Sequence, residues 1–277
     1  MSTLYIVATP IGNMDDITLR AMKTLRHVPL IAAEDTRRTA KLLNAYDIKT
    51  PLTSYYEHNK LSKLDFILEQ LSKGDVALVS DAGMPGISDP GHELIVAALE
   101  KGIKVEAIPG PSALLSALAV SGLPTDRFSF IGFLPRRSKE RRAQLKSVAA
   151  RTDTLVFFEA PHRVIETLAD MLHSLGDRKV AVCRELTKVY EEVFRGTVGE
   201  AIAYFVEPRG EFVLVVAGAP PVIETPSEEE ALKLLAAFKK QGLAAREAVA
   251  EASAVTGMSR KWLYQAWLEQ SNSIPSL

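Results

Sequence analysis

Three short stretches gather groups that could move protons or hold anions. Glu34-Asp35-Thr36-Arg37-Arg38, Glu159-Ala160-Pro161-His162-Arg163 and Arg184-Glu185-Leu186-Thr187-Lys188 each set carboxylates beside guanidinium, imidazole or ammonium groups within five residues. Carboxylates and a histidine accept protons, and arginines grip phosphate with paired donors, so such clusters suit acid–base work on an anionic substrate. The plainer reading is a helix start, with acids favoured by the dipole and arginines facing water. A fourth stretch, SDAGMPGISDPG (80–91), is a glycine loop carrying Asp81 just past an apolar run. It matches neither GxGxxG nor GxxxxGK[ST]. Its glycines therefore predict close backbone approach to an uncharged or cationic ligand, with Asp81 as the one fixed negative charge, or simply a capped turn. The five histidines are scattered and no CxxC or HExxH pattern occurs, so no metal site is read.

Every one of these stretches follows a short apolar run: Leu30 to Ala33, Thr154 to Phe158, Val180 to Arg184 with Cys183 as a core residue, and Val76 to Val79. Open α/β sheets bind ligands where the strand C-termini diverge, so the runs aim all four stretches at such edges. Val76 to Ala113 reads as a βαβ unit: strand, glycine loop, a helix bearing Leu94, Ile95, Ala98 and Leu99 and stopped by Gly102, a strand from Ile103 to Ile108, and a Pro-Gly-Pro-Ser turn. Leu4 to Ala8 predicts another strand, followed by a helix led by Asp15 and Asp16 with Ile17, Ala21, Leu25 and Val28 inward. Ser62 is expected to cap a helix bearing Leu64, Ile67, Leu68 and Leu71, and Pro161 to open one bearing Val164, Leu168, Met171 and Leu175. Phe128 to Gly132 and Phe212 to Ala217 complete the strands, and Thr197 with Glu200 spells a capping box.

Leu134 to Arg142 is the densest basic run, expected either as a mobile surface segment that meets phosphates or as a solvated helix start. From Gly218 to Pro226 the composition is that of a linker, and Ser227 then opens three helices divided at Gly242 and Gly257. Trp262, Leu263, Ala266 and Trp267 share a face there, as the core of a helix-turn-helix-type bundle with Arg246, Arg260 and Lys261 near its turns. The expected fold class is α/β: two α/β domains, 1–118 and 119–220, plus a small helical domain, 225–277.

At 277 residues, 47% of them hydrophobic, the chain can bury more than one core. A formal net charge of -1 argues against a chain-wide grip on nucleic acid and leaves that to local basic clusters. With no export signal, no apolar run near ~18 residues and one cysteine, a cytoplasmic, membrane-free location is expected.

Taken together, VATPIGN (7–13), EDTR (34–37), SDAGMPGISDPG (80–91), IPGPSA (108–113), EAPHR (159–163) and CRELTK (183–188) resemble, in sequence and in order, the rRNA-modifying branch of the tetrapyrrole methylase superfamily. That resemblance covers residues 4 to 218, and the C-terminal helices are similar to the branch's extra domain. It implies a two-domain α/β homodimer with S-adenosylmethionine in the interdomain cleft, 2'-O-methylating a cytidine in the decoding region of 16S rRNA of the small ribosomal subunit. Carried over by motif, the cofactor lies against Pro10, Ile11, Gly12, Asp81, Gly83, Met84, Ser112, Ala113, Phe158 and Phe212. A sulfonium cation without phosphate suits the glycine loop. For the ribose hydroxyl, Glu34, Asp35, Glu159 and His162 are the candidate proton acceptors, unranked among themselves. Arg37, Arg38, Arg163 and Arg184 are candidates for flanking phosphates, with Arg136 to Arg142 extending that grip. Two alternatives stay open, a corrinoid or porphyrinoid precursor methylase and a non-catalytic rRNA-binding assembly factor.

Overall fold

A computed structural model describes residues 2–220 and 227–272. The first half alternates β1 (Thr3–Val7), α1 (Leu19–His27), β2 (Leu30–Ala33), α2 (Thr36–Ala45), β3 (Leu52–Ser54), α3 (Lys60–Lys73), β4 (Val76–Val79), α4 (His92–Glu100), β5 (Lys104–Ile108) and α5 (Ala113–Ser121). Its five strands pair in parallel in the order β3-β2-β4-β1-β5. Strands covered on both faces read as unbroken apolar runs, which is why Val76–Val79 is buried throughout. Ala21 and Leu25 of α1 join Val7, Ile31, Ala77 and Val79 on one face, while Leu94 and Ala98 of α4 join Leu4, Ile6, Ala32 and Leu78 on the other. Because α1 and α4 leave to opposite faces from the adjacent strands β1 and β4, a crevice opens past the carboxyl ends of those two strands.

The second half runs β6 (Phe128–Phe133), α6 (Ser138–Ser147), β7 (Thr154–Glu159), α7 (Val164–Leu175), β8 (Lys179–Arg184), β9 (Glu192–Thr197), α8 (Val198–Tyr204) and β10 (Phe212–Val216). Its sheet, β6-β7-β10-β8-β9, is mixed, since only β6 and β7 pair in parallel. Helices α6 to α8 supply Leu145, Leu168, Met171 and Val198 to one face. The other face is covered from the first half: Ala117 and Leu118 of α5, with Ile11, pack against Val156, Ala181, Val213 and Val215. That shared core binds both sheets into one compact unit, Met1–Ala219.

A second unit begins at Pro220. Its helices are α9 (Glu228–Lys240), α10 (Ala245–Thr256) and α11 (Arg260–Asn272), around Leu235, Ala248, Ala252, Leu263 and Trp267, and Ser227 with Glu230 forms the expected capping box. The linker expected up to Pro226 lies, over 221–226, outside the described residues.

Several local expectations need correcting. Asp15 and Asp16 sit in a separate 3-10 turn, and Thr18 caps α1 by accepting from the Ala21 N–H. Helix α3 starts two residues before Ser62, with Asn59 at its cap position turned back to accept from the Tyr56 N–H. Pro161 lies in the turn before α7 rather than in its first turn. Strands β3 and β9 are two that the apolar pattern does not predict: β3 has only three residues, and edge strand β9 interrupts its apolar Val193 and Phe194 with Arg195 and Gly196.

Candidate functional site

A cavity of about 410 Å³ lies at the β1/β4 crevice, against the second sheet. Its floor comes from the turn after β1 and the central loop. Thr9 and Gly83 exchange two backbone hydrogen bonds of 2.9 Å, and the Thr9 hydroxyl donates to the Ser80 carbonyl. Gly83 has φ +81° and Gly91 φ +153°, where a Cβ at Gly91 would lie 3.0 Å from a Leu78 methyl and 3.2 Å from the Gly86 nitrogen. The loop is tight backbone that side chains would break apart.

One wall is acidic. Glu34, which ends the run after β2, accepts from the Asp81 N–H at 3.2 Å, and Asp81 in turn accepts from the Asp35 N–H at 3.0 Å. Arg38, on α2, reaches Asp81 at 3.2 Å. Asp89, from the far arm of the glycine loop, is the third carboxylate. Burial, with the Glu34 and Asp81 charges adding to it, pushes Asp89 up to about 7, while the Ser80 hydroxyl pulls the other way. Burial also raises Glu34, against the bond from the Asp81 amide. The expectation of Asp81 as the one fixed negative charge is thus corrected to a wall of three carboxylates, Glu34, Asp81 and Asp89, of which Asp81 is paired with Arg38. The opposite wall is apolar, made by Met84, Phe133, Phe158, Cys183, Phe212 and Val213, and Ala113 follows Ser112, which caps α5. Phe133 and Phe158 meet edge to face at 5.6 Å between centroids. Cys183 is buried and its thiol is pushed up to about 11 by that burial, as suits a core residue.

Of the residues expected to hold a cofactor, Ile11, Asp81, Gly83, Met84, Ser112, Ala113, Phe158 and Phe212 line this cavity. Pro10 and Gly12 do not line it. Gly12 lies under the 186–188 loop, and a Cβ there would come within 2.5 Å of Lys188 Cγ and 3.0 Å of the Leu186 carbonyl. That loop was expected to face out. Instead the Thr187 hydroxyl accepts from the Asn13 N–H at 3.0 Å, with Lys188 tied to Glu185 and Glu211 at 2.8 and 2.9 Å.

The expected proton-moving and phosphate-holding residues separate. Glu34 lines the cavity, whereas Asp35 caps α2 and binds Arg37 at 2.9 Å, which holds its carboxyl down at about 2. Glu159 also lines the cavity but its carboxylate is buried and already engaged: it accepts from the Thr167 hydroxyl at 2.6 Å and the Ala160 N–H at 2.8 Å, and Arg163 stands 3.4 Å away. Such a saturated carboxylate fixes the β7–α7 turn. Arg163 points inward to the Leu134 and Pro135 carbonyls, and Arg184 pairs with Glu192 at 3.2 Å. His162 lines a neighbouring cavity. The basic run is not a loose surface segment either, because Arg141 is 2% exposed and binds Asp170 at 2.6 Å, with Arg142 on the other oxygen. Asp89, eight residues after Asp81 in the same glycine loop, is not singled out by its spacing; the signal the sequence does carry for it is an acid in a glycine loop at a strand end.

Known proteins share this layout. Residues 3–202 match the family Tetrapyrrole (Corrin/Porphyrin) Methylases, and residues 225–271 match the RsmI C-terminal HTH domain. A crystal structure of diphthine synthase superposes with a TM-score of 0.60 at 15% identity, covering 79% of this chain and 90% of that one, a likeness of fold. The chain belongs to the tetrapyrrole methylase family. Among curated relatives, the ribosomal RNA small subunit methyltransferase I of Halalkalibacterium halodurans is 47% identical, over 97% of this chain and 95% of its own. The protein of the same name from Thermotoga maritima is 54% identical over 221 residues, 79% of this chain and 99% of its own. Within the family, the chain thus falls with the ribosomal RNA small subunit methyltransferase I proteins.

Proposed function

We propose that the chain transfers a methyl group from S-adenosylmethionine to the ribose 2'-oxygen of a cytidine in the decoding region of 16S rRNA, acting in the cytoplasm as a homodimer on an assembled small subunit. The observation that carries this reading is the near-full-length match, at 47% identity, to a small-subunit rRNA methyltransferase. The cavity fits the cofactor: Glu34, Asp81 and Asp89 supply negative charge for a sulfonium, Met84, Phe158, Phe212 and Val213 supply apolar surface, and Gly83 allows backbone approach. When bound, the cofactor supplies an electrophilic methyl group. Ile11, Ser112 and Ala113 complete its seat, and the three parts 1–118, 119–220 and 225–277 divide the work into floor, wall and appended helices.

The residues then have distinct tasks. Arg38 holds Asp81, and through it the Glu34–Asp81 backbone bond, in place. Glu34 and Asp89, the carboxylates lining the cavity whose affinity for a proton is raised, are the groups able to take one from a ribose hydroxyl. Glu159 and Arg163 position the turn beside them.

The test is transfer of radiolabelled methyl from S-adenosylmethionine to small subunits from cells lacking such an enzyme, followed by alkaline hydrolysis. Ribose methylation blocks cleavage of the adjoining phosphodiester, so the label is expected in an alkali-resistant dinucleotide. Label in a mononucleotide, or in a tetrapyrrole precursor and not in RNA, overturns the reading.

A further inference from the structure

Beside the cavity just described lies a second one of about 460 Å³, lined by Phe133, Pro135, Arg136, Gln144, His162 and Arg163. Phe133 and Ala160 belong to both, so the two spaces adjoin across one aromatic ring. The rim is built in an unusual way. Arg163 donates to the Leu134 carbonyl at 2.7 Å and to the Pro135 carbonyl at 3.0 Å, and the buried Arg141 donates to the Arg136 carbonyl at 3.2 Å. Three consecutive carbonyls are thereby drawn to guanidinium groups from beneath. Behind those groups stand fixed carboxylates: Glu159 for Arg163, Asp170 for Arg141.

What this scaffold presents is free. Phe133 is 55% exposed, with its contact to Phe158 made edge to face. Arg136 is exposed, and among the described residues its side chain has no ion pair, unlike Arg141, Arg142 and Arg163 close by. His162 is exposed as well, and Gln144 is half-buried at the cavity wall. An open aromatic face, an unpaired guanidinium and two hydrogen-bonding side chains around a space of this size match what a nucleotide of single-stranded RNA offers: a ring to stack, a phosphate, and polar edges.

We propose that this second cavity is a subsite for the nucleotide flanking the one that is methylated, its base against Phe133 and its phosphate on Arg136. The inference rests on the RNA reading above and adds where the neighbouring nucleotide goes.

The test uses the full chain carrying Arg136→Ala, Arg136→Lys or Gln144→Trp. Arg136→Ala is expected to raise KM for small subunits by about tenfold, roughly one phosphate contact, with kcat within about twofold. The slope of log affinity against log salt falls by about one, and Arg136→Lys recovers most of both effects. Gln144→Trp, which fills the space, is expected to lower kcat/KM more than tenfold. Calorimetric affinity for S-adenosylmethionine stays at the wild-type value in all three. Wild-type KM and salt slope in both Arg136→Ala and Gln144→Trp overturn the subsite while leaving the rRNA reading intact. If the wild-type protein methylates no subunit, that reading fails instead, and anisotropy with a short single-stranded oligoribonucleotide decides the subsite alone. Weaker binding by Arg136→Ala then upholds it, and equal binding by all variants ends it.

Discussion

Asp89 separates two demands on one side chain. It stands in a cavity wall with Glu34 and Asp81, and is held up to about 7 by burial. A carboxyl raised above its ordinary 3.8 keeps its proton in the folded protein after the unfolded chain has released it. Folding stability therefore falls as pH rises from about 4 to about 7, and is level above that window. Asp89→Asn removes the titration. Its stability gain over wild type should be near zero at pH 4 and reach about 1–2 kcal/mol at pH 7.5, a rise in Tm of roughly 2–8 °C. Thermal unfolding at both pH values checks this, and an equal difference at the two would mean that Asp89 is not desolvated. At this scale the sequence was only partly legible. Asp81, Met84 and Ser112 could be placed because they sit beside recognisable turns. Glu159 could not be told from Glu34, because each ends an apolar strand and only the fold supplies Thr167 and Arg163 to saturate one of them.

Elements were legible where apolar periodicity is strong and faded where long-range pairs decide. Val76–Val79 and Leu30–Ala33 emerge from their apolar runs as strands with the expected ends, and the Thr197–Glu200 capping box forms as spelled. The basic run opens α6 as an exposed helix start, except at Arg141, which sequence alone leaves outside because Asp170, the partner that pulls it inside, lies 29 residues away on α7. Burying that pair ties α6 to α7 beneath the 134–136 segment. Arg141→Met strands Asp170 in a site left with Arg142 and Ser138, and should destabilise the protein by about 3 kcal/mol, the low end for breaking a buried pair. The double variant Arg141→Met/Asp170→Leu leaves no buried charge and should recover more than half of that loss. Urea unfolding of both gives the answer; a double variant as unstable as the single one would show that packing, not charge, is what Arg141 provides.

On the scale of the whole chain, the unit that holds both cavities and the unit of three helices divide at residue 220. The unit Met1–Ala219 contains both sheets, the shared α5 core and every residue of the two cavities. The helical unit has its own core, and its outer groove carries Arg246, Arg260 and Lys261 beside Tyr264, with none of the three cations in an ion pair among the described residues. Ending the chain after Ala219 should leave calorimetric affinity for S-adenosylmethionine within about twofold, since no cavity residue is lost. Affinity for small subunits should fall by about tenfold or more at physiological salt, and the salt slope should drop by about two to three, one unit for each lost cation that meets a phosphate. Comparable losses in cofactor and subunit affinity would instead make the helices part of the scaffold that shapes the cavity between the β1/β4 crevice and the second sheet.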